Sequence, residues 1–324
     1  MANRYDQPIP YGWFAVEYSD KLGNRGVMPL RYFGRDLVLF RTEAGAAVLM
    51  DAFCPHLGAH LGHGGKVQGE NIACPFHGWQ FDGAGYCQDV PYASNMPPRV
   101  VDKQVIRTYP VIERNAMIWG WYHPNGAAPE WDVEQIPEFN SDEWTDLDLY
   151  DWEINTIIQE AGENGADVAH FMFVHSATEM PEGEVSMDGV RRSTEIRNKV
   201  PRINDTGELA GSGEDWEYIE VNSLNVGPGQ TIQRISRAFS VVMMGTVTPI
   251  DDQNIHLRFS FTMPRSQTDM NKVLAEATRD NVVMGVGQDI PIWNNKSYVP
   301  DPILCDGDGP IAKYRKWFTQ FYAA

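Results

Sequence analysis

Cys54, His56, Cys74 and His77 are the residues of this 324-residue chain best suited to hold a metal. They stand in two short glycine-containing segments, "CPHLGAHLGHGG" and "CPFHGWQFDGAG", as Cys-x-His and Cys-x2-His, with seventeen residues between the arms. Two thiolates and two imidazoles can close a tetrahedral zinc site, but zinc sites of that composition usually put the cysteines on one arm and the histidines on the other. Here each arm supplies one of each. That mixing suits a two-iron cluster in which cysteines hold one iron and histidines the other; neutral imidazoles then raise the potential to roughly −150 to +300 mV. The glycines let both loops fold tightly over a compact group. His60 and His63 lie on the first loop without partner spacing and read as loop or surface residues.

A second constellation lies some ninety residues downstream, in "QEAGENGADVAHFMFVHSA" (159–177). The segment is rich in helix formers and carries Asp167, His170 and His175. Two nearby histidines and one distant carboxylate make the facial triad of non-haem Fe(II) oxygenases. Three protein ligands leave adjacent positions open, so that dioxygen can be activated beside a substrate. An i, i+5 pair on an ideal helix points about 140° apart. The spacing therefore predicts a wide turn or π-bulge near 171–174. For the third ligand Glu160, Glu163 and Asp280 compete on sequence alone, each otherwise a solvated helix-face acid.

Both loops together resemble the Rieske family. "ENGADVAHFMFVH" is similar to the Asn-x2-Asp-x2-His-x4-His segment of the Rieske non-haem iron oxygenases. "GQDIPIWNNKSY" and "DGPIAKYRKWFTQFY" are similar to the steroid-acting branch, which contains the 3-ketosteroid 9α-hydroxylases and cholesterol 7-desaturases. The resemblance implies a [2Fe–2S] cluster on Cys54, His56, Cys74 and His77. It implies a mononuclear Fe(II) on His170, His175 and Asp289. Asp167 would pass an electron between His77 of one subunit and His170 of the next, which implies a ring of subunits, a homotrimer. Asn164 matches the Asn that lies close to the iron in that family. Electrons would come singly from a separate NAD(P)H-dependent reductase or ferredoxin, and the products would be hydroxylated or desaturated sterols or ketosteroids. "GVGQDI" opens no second helix and is not a dinucleotide loop. Two other readings stay open: an O-demethylating monooxygenase acting on methoxylated aromatic acids, and a Rieske electron-transfer protein.

Composition narrows the classes. Hydrophobic residues make up 43% and charged residues 22%, which is globular. A net charge of −18 argues against nucleic acid or anionic membranes as partners. No apolar run has the length of a membrane span. The N-terminus lacks a signal-peptide order. Cys87 and Cys305 leave no disulfide framework, and the chain is expected to be cytoplasmic.

The elements that must position these residues follow from periodicity. Alternating segments to about residue 123, with Gly-Arg-Asp expected as the turn between "MPLRY" and "LVLFR", predict an antiparallel β domain (1–125) carrying the cluster at its loop tips. "PNGAAPEWDVEQIPEFNSDE" (124–143) reads as the connection. The rest (126–324) predicts an α+β, helix-grip-like catalytic domain, a curved antiparallel sheet wrapped on long helices. The helices are "QTDMNKVLAEATRDNVVMGVGQDIPIW" and "DGPIAKYRKWFTQFY". Met172, Met180, Met243 and Met244 are candidates for an adaptable apolar cavity or for core filler. Arg191, Arg192, Arg197, Lys199 and Arg202 read as a solvated strand edge.

Overall fold

The computed structural model describes residues 4–177, 180, 182–201, 216–236 and 239–323. It forms two compact units. One comprises Tyr11–Asp132 and Thr248–Asp252; the other comprises Met1–Pro10, Val133–Val247 and Gln253–Ala324. The division thus falls at Asp132/Val133 rather than at residue 125, and Met1–Pro10 goes with the second unit. Packing accounts for both differences. Trp131 stays with the first unit, where its carbonyl accepts from Trp13 Nε1 at 2.6 Å and its ring packs on Trp121. Arg4 belongs to the second, donating to the carbonyls of Asn294 (2.6 Å) and Lys296 (2.9 Å).

The first unit is antiparallel β throughout, as expected. Its strands are β1 (Gly12–Tyr18), β2 (Val27–Tyr32), β3 (Arg35–Arg41), β4 (Ala47–Asp51), β5 (Lys66–Gln68), β6 (Asn71–Ala73), β7 (Gln80–Phe81), β8 (Cys87–Asp89), β9 (Thr108–Tyr109), β10 (Val111–Arg114) and β11 (Met117–Tyr122). They form sheets in the orders β1-β11-β10, β2-β3-β4-β9 and β5-β6-β7-β8. The β2–β3 turn is not Gly-Arg-Asp. Arg35 and Asp36 already pair with Tyr32 and Arg31, and the turn is Phe33-Gly34, with φ of +59° and +69°. Two left-handed central residues match the twist of a two-residue hairpin. Phe33 tolerates that conformation because its buried ring stacks on Tyr122 at 4.6 Å and its N–H donates to Pro249 O at 2.9 Å. Cys54 and Cys74 lie in one core cluster with Phe40, Leu61, Trp79 and Phe81. Cys87 lies in the same cluster and acts as a small core hydrophobe.

In the second unit a seven-stranded antiparallel sheet runs in the order β12-β18-β17-β16-β15-β14-β13. These are β12 (Asp148–Ile154), β13 (Glu182–Asp188), β14 (Arg191–Pro201), β15 (Trp216–Val226), β16 (Gln230–Ser236), β17 (Ser240–Pro249) and β18 (Ile255–Thr262). Between β12 and β13 come the short helices α1 (Ile158–Glu163) and α2 (His170–Phe173); α3 (Asp269–Trp293) and α4 (Ile311–Phe318) follow the sheet. Thr268 caps α3 by accepting from Asn271 N–H at 3.2 Å. α3 lays Leu274, Ala275, Val282 and Val283 against Val241, Met243, Phe259 and Phe261 of the sheet. Met243 and Met244 are therefore core residues, and Met180 is exposed. The expected strand edge is also revised. Arg192 is 3% exposed, Arg202 lies outside the described residues, and so does the side chain of Lys199.

α1 and α4 meet at close range. A Cβ on Gly162 would stand 2.2 Å from Tyr314 Oη, whose ring is buried and whose hydroxyl donates to Gln159 O. Gly162→Ala is accordingly expected to destabilise this unit by about 1–3 kcal/mol through overpacking. Denaturant unfolding monitored by tryptophan fluorescence measures it, and an unchanged midpoint refutes the close contact.

Candidate metal centres

The two cysteine loops are built alike. Gly58 N–H donates to Cys54 O at 2.9 Å, and Gly78 N–H donates to Cys74 O at 3.0 Å. Cys54 N–H donates to Ala59 O, and Cys74 N–H to Trp79 O, at 2.9 and 2.8 Å. Both glycines have positive φ, +76° and +72°, which closes each turn without steric cost. The histidine sits two places after the first cysteine and three after the second, yet the imidazoles of His56 and His77 come together, ring centroids 4.8 Å apart. His56 stacks on Trp79 at 4.6 Å, and Trp79 Nε1 donates to Tyr92 Oη at 2.9 Å.

The surroundings of these groups fit a cluster. The cysteines are 2% and 4% exposed, whereas both histidines are half-buried, so the imidazole side faces outward. Burial pushes the Cys54 thiol up to about 12, with neighbouring Cys74 adding to the effect. A thiol as buried as Cys54 is a poor acid until a cation draws off its proton. His77 Nδ1 is buried with no hydrogen-bond partner among the described residues, an orphan that a metal would satisfy. His60 and His63 stay together on the first loop, rings 4.5 Å apart, and His60 Nδ1 accepts from Gly62 N–H.

The second centre forms where α2 and α3 meet. Ligand atoms of His170, His175 and Asp289 all lie within 4.8 Å of one another, and His175 Nε2 is 3.4 Å from Asp289 Oδ1. The expected long helix with a π-bulge is replaced by a broken one. α1 ends at Glu163, residues 164–169 turn, and α2 is a single turn in which Val174 N–H donates to His170 O at 2.7 Å in ordinary α fashion. The chain then leaves the helix: Ser176 is left-handed (φ +57°), and Ala177 N–H donates to Phe171 O at 2.9 Å. No π-bulge forms; the helix ends, and the wide turn closed by the Ala177-to-Phe171 bond brings His175 back beside His170.

Each imidazole is oriented through Nδ1, leaving Nε2 for a metal. His170 Nδ1 is 2.5 Å from Asp167 O, and His175 Nδ1 is 2.8 Å from Gln288 Oε1. Both oxygens accept, so each imidazole carries its proton on Nδ1. His170 Nε2 is buried and without a partner among the described residues, which fits a bound cation. Burial pushes the Asp289 carboxyl up, opposed by His175, His170 and the Asn164 amide; a cation in the site would reverse that direction. The Asp167 carboxylate does not bond the His170 imidazole. It lies 3.9 Å from Nδ1 and accepts instead from the His170 backbone N–H at 3.2 Å.

The competing acids are engaged elsewhere. Glu160 and Glu163 are buried rather than solvated, Glu160 paired with Lys296 and Glu163 forked to Arg315 at 2.6 and 2.9 Å. Asp280 is exposed and pairs with Arg279. Sequence reasoning missed Gln288, although it adjoins Asp289. It also missed Arg192 and Arg315 as supports of this turn.

Residues 12–110 match the Rieske [2Fe-2S] domain, and residues 120–322 match the 3-ketosteroid 9alpha-hydroxylase C-terminal domain. A cholesterol 7-desaturase of Caenorhabditis elegans is 33% identical over 97% of this chain and 77% of its own length. A probable 3-ketosteroid-9-alpha-monooxygenase, oxygenase component, of Rhodococcus rhodochrous is 30% identical over 90% of this chain and 74% of its own. Among solved structures, NdmA of Pseudomonas putida CBB5 with caffeine has a TM-score of 0.74 at 20% identity, covering 95% of this chain and 89% of its own. Dicamba monooxygenase with non-heme iron and dicamba has a TM-score of 0.67 at 18% identity over 96% of each chain. At such identities these two speak for the fold. Two matched domains and two fitting donor sets make the chain an oxidoreductase with a [2Fe–2S] cluster and a mononuclear non-haem iron, and not a bare electron carrier. The chain belongs to the Rieske non-haem iron oxygenases, as a terminal oxygenase component with the 3-ketosteroid 9α-hydroxylase type of C-terminal domain.

Proposed function

We propose that this protein oxidises a sterol or ketosteroid with dioxygen and externally supplied electrons, by hydroxylation or desaturation. The observation that carries the reading is the donor triangle: one ligand atom each from His170, His175 and Asp289 within 4.8 Å of one another, with both imidazoles fixed through Nδ1. His170, His175 and Asp289 hold the iron, and Cys54, His56, Cys74 and His77 hold the cluster. When bound, the cluster supplies single electrons and the iron activates dioxygen. The chain's own residues do the rest. Gln288 and the Asp167 carbonyl hold the ligand imidazoles in the tautomer that a metal needs.

Asp167 links the His170 imidazole, through its carbonyl, to a half-buried carboxylate on the same residue. That carboxylate accepts an N–H from His77 of a neighbouring subunit and carries an electron across a head-to-tail homotrimer. Half-buried imidazoles with exposed Phe76 and Tyr92 against the His77 ring suit such docking. A separate reductase or ferredoxin reloads the cluster, in the cytoplasm, where the free cysteines stay reduced. Asp167→Asn is expected to keep both metals and slow cluster reoxidation about 10- to 100-fold. Rapid mixing of reduced protein with oxygen and substrate measures the rate, and an unchanged rate rejects the bridge.

The similarity to a cholesterol 7-desaturase and to 3-ketosteroid oxygenase components supports the substrate class. Chemically reduced protein, given oxygen and a panel of sterols, 3-ketosteroids and methoxybenzoates, needs no native reductase for one turnover. Mass spectrometry should find a steroid with one oxygen more or two hydrogens fewer. A demethylated benzoate transfers the enzyme to the aromatic-acid reading. No product, with both metals present, rejects the steroid class.

A further inference from the structure

The two oxygens of Asp289 have different surroundings. Oδ1 lies 3.4 Å from His175 Nε2, on the side where the three donors converge. Oδ2 accepts a 2.9 Å hydrogen bond from Asn164 Nδ2. Asn164 closes α1 and is pinned through both neighbours in the chain. On one side Glu163 forms a two-pronged pair with Arg315. On the other, the carbonyl of Gly165 accepts from Arg192 Nη2 at 3.0 Å. Holding that carbonyl with Arg192 is costly, because the guanidinium is 3% exposed and has no carboxylate partner among the described residues. Its other Nη bonds the Asn225 side chain at 3.1 Å, and its guanidinium lies 5.5 Å from the centre of the Tyr314 ring. Two arginines from distant parts of the sequence thus hold the residues on either side of one asparagine.

We propose that Asn164 is a positioning residue that keeps Asp289 a one-oxygen ligand. The inference rests on the reading of His170, His175 and Asp289 as the iron site. A carboxylate with both oxygens free can bind a cation through one or both. With Oδ2 engaged by the Asn164 amide and turned toward it, Oδ1 is the favoured donor of Asp289, and the protein then supplies three donor atoms in all. The remaining positions of a six-coordinate iron stay available to exogenous ligands, which is the arrangement that oxygen activation needs. An amide is the right clamp chemically. It donates to the carboxylate without cancelling its charge, whereas a lysine there would compete with the metal.

Nitric oxide is the probe, because it occupies open positions on ferrous iron and gives an EPR signal whose shape reports the ligand field. Full-length Asn164→Leu and Asn164→Ala proteins should retain iron and the cluster spectrum. Their nitric oxide affinity should fall roughly tenfold, the scale of losing one hydrogen bond to a charged group, and their EPR splitting should change. Wild-type affinity and signal shape in both variants overturn the proposal. Iron lost from both, with the cluster retained, overturns it too, since Asn164 would then govern affinity and not denticity. Asp289→Ala separates the two levels. If that variant keeps iron with the wild-type nitric oxide signal, the ligand set itself is wrong.

Discussion

His170→Ala is expected to leave the visible absorption of the [2Fe–2S] cluster intact and to lower turnover by at least roughly 10³-fold, the scale of losing several kcal/mol of metal-supplied stabilisation. The substitution removes two things at once. Nε2, buried and unpartnered among the described residues, goes as a donor; Nδ1, which anchors the ring to the Asp167 carbonyl, goes with it. His175 and Asp289 remain, 3.4 Å apart, as a two-donor site too weak to retain iron. The proposed cluster ligands belong to the other compact unit, so their spectrum reports that this unit is still folded. Iron analysis alongside the spectrum decides the matter. Loss of the mononuclear iron alone, with activity gone, is the expected pair; retained turnover removes His170 from the site.

Cys74→Ser should abolish the cluster and with it all reductase-dependent activity. Cys74 is 4% exposed within the core of its unit, its N–H bonded to Trp79 O and its carbonyl to Gly78 N–H. The backbone loop therefore has reason to survive the change while the donor changes from thiolate to a much harder, poorly acidic hydroxyl. Serine also buries a hydroxyl where a thiol was tolerated, so some instability accompanies the loss of colour. The contrast with Cys87→Ser is informative: Cys87 shares the same core but neither cysteine loop, and its variant should keep the cluster. An unaltered visible spectrum in Cys74→Ser refutes the assignment of Cys74.

Much of the chemistry was legible because metal ligands are read by type and spacing. Cys-x-His and Cys-x2-His state the donors, and the two Cys-Pro loops then close the same turn in the structure. Alternation and helix formers likewise announced antiparallel sheets and a helix over 267–293, observed as Asp269–Trp293. Local patterns mislead where a distant contact overrides local preference. Phe33 occupies a left-handed turn position because Tyr122 and Pro249 hold it there. The run 159–177 has good helix formers throughout, yet it breaks after Glu163, where Arg315 and Arg192 grip the residues on either side of Asn164. Arg192 looked like a surface charge, because alternation along a strand gives a period but not which phase faces inward.

By itself, then, the sequence determined which donors are available: four candidate cluster ligands, two candidate iron histidines and several competing acids, with their order along the chain. Only the tertiary structure decided how they are presented. It ended α2 in time to return His175 to His170, chose Asp289 over the ion-paired Glu160 and Glu163, and gave each imidazole its oxygen partner. The physical reason is that ligand identity is a property of single residues. Ligand geometry instead depends on hydrogen bonds and packing between segments more than a hundred positions apart, such as Asn164 with Asp289 and Glu163 with Arg315.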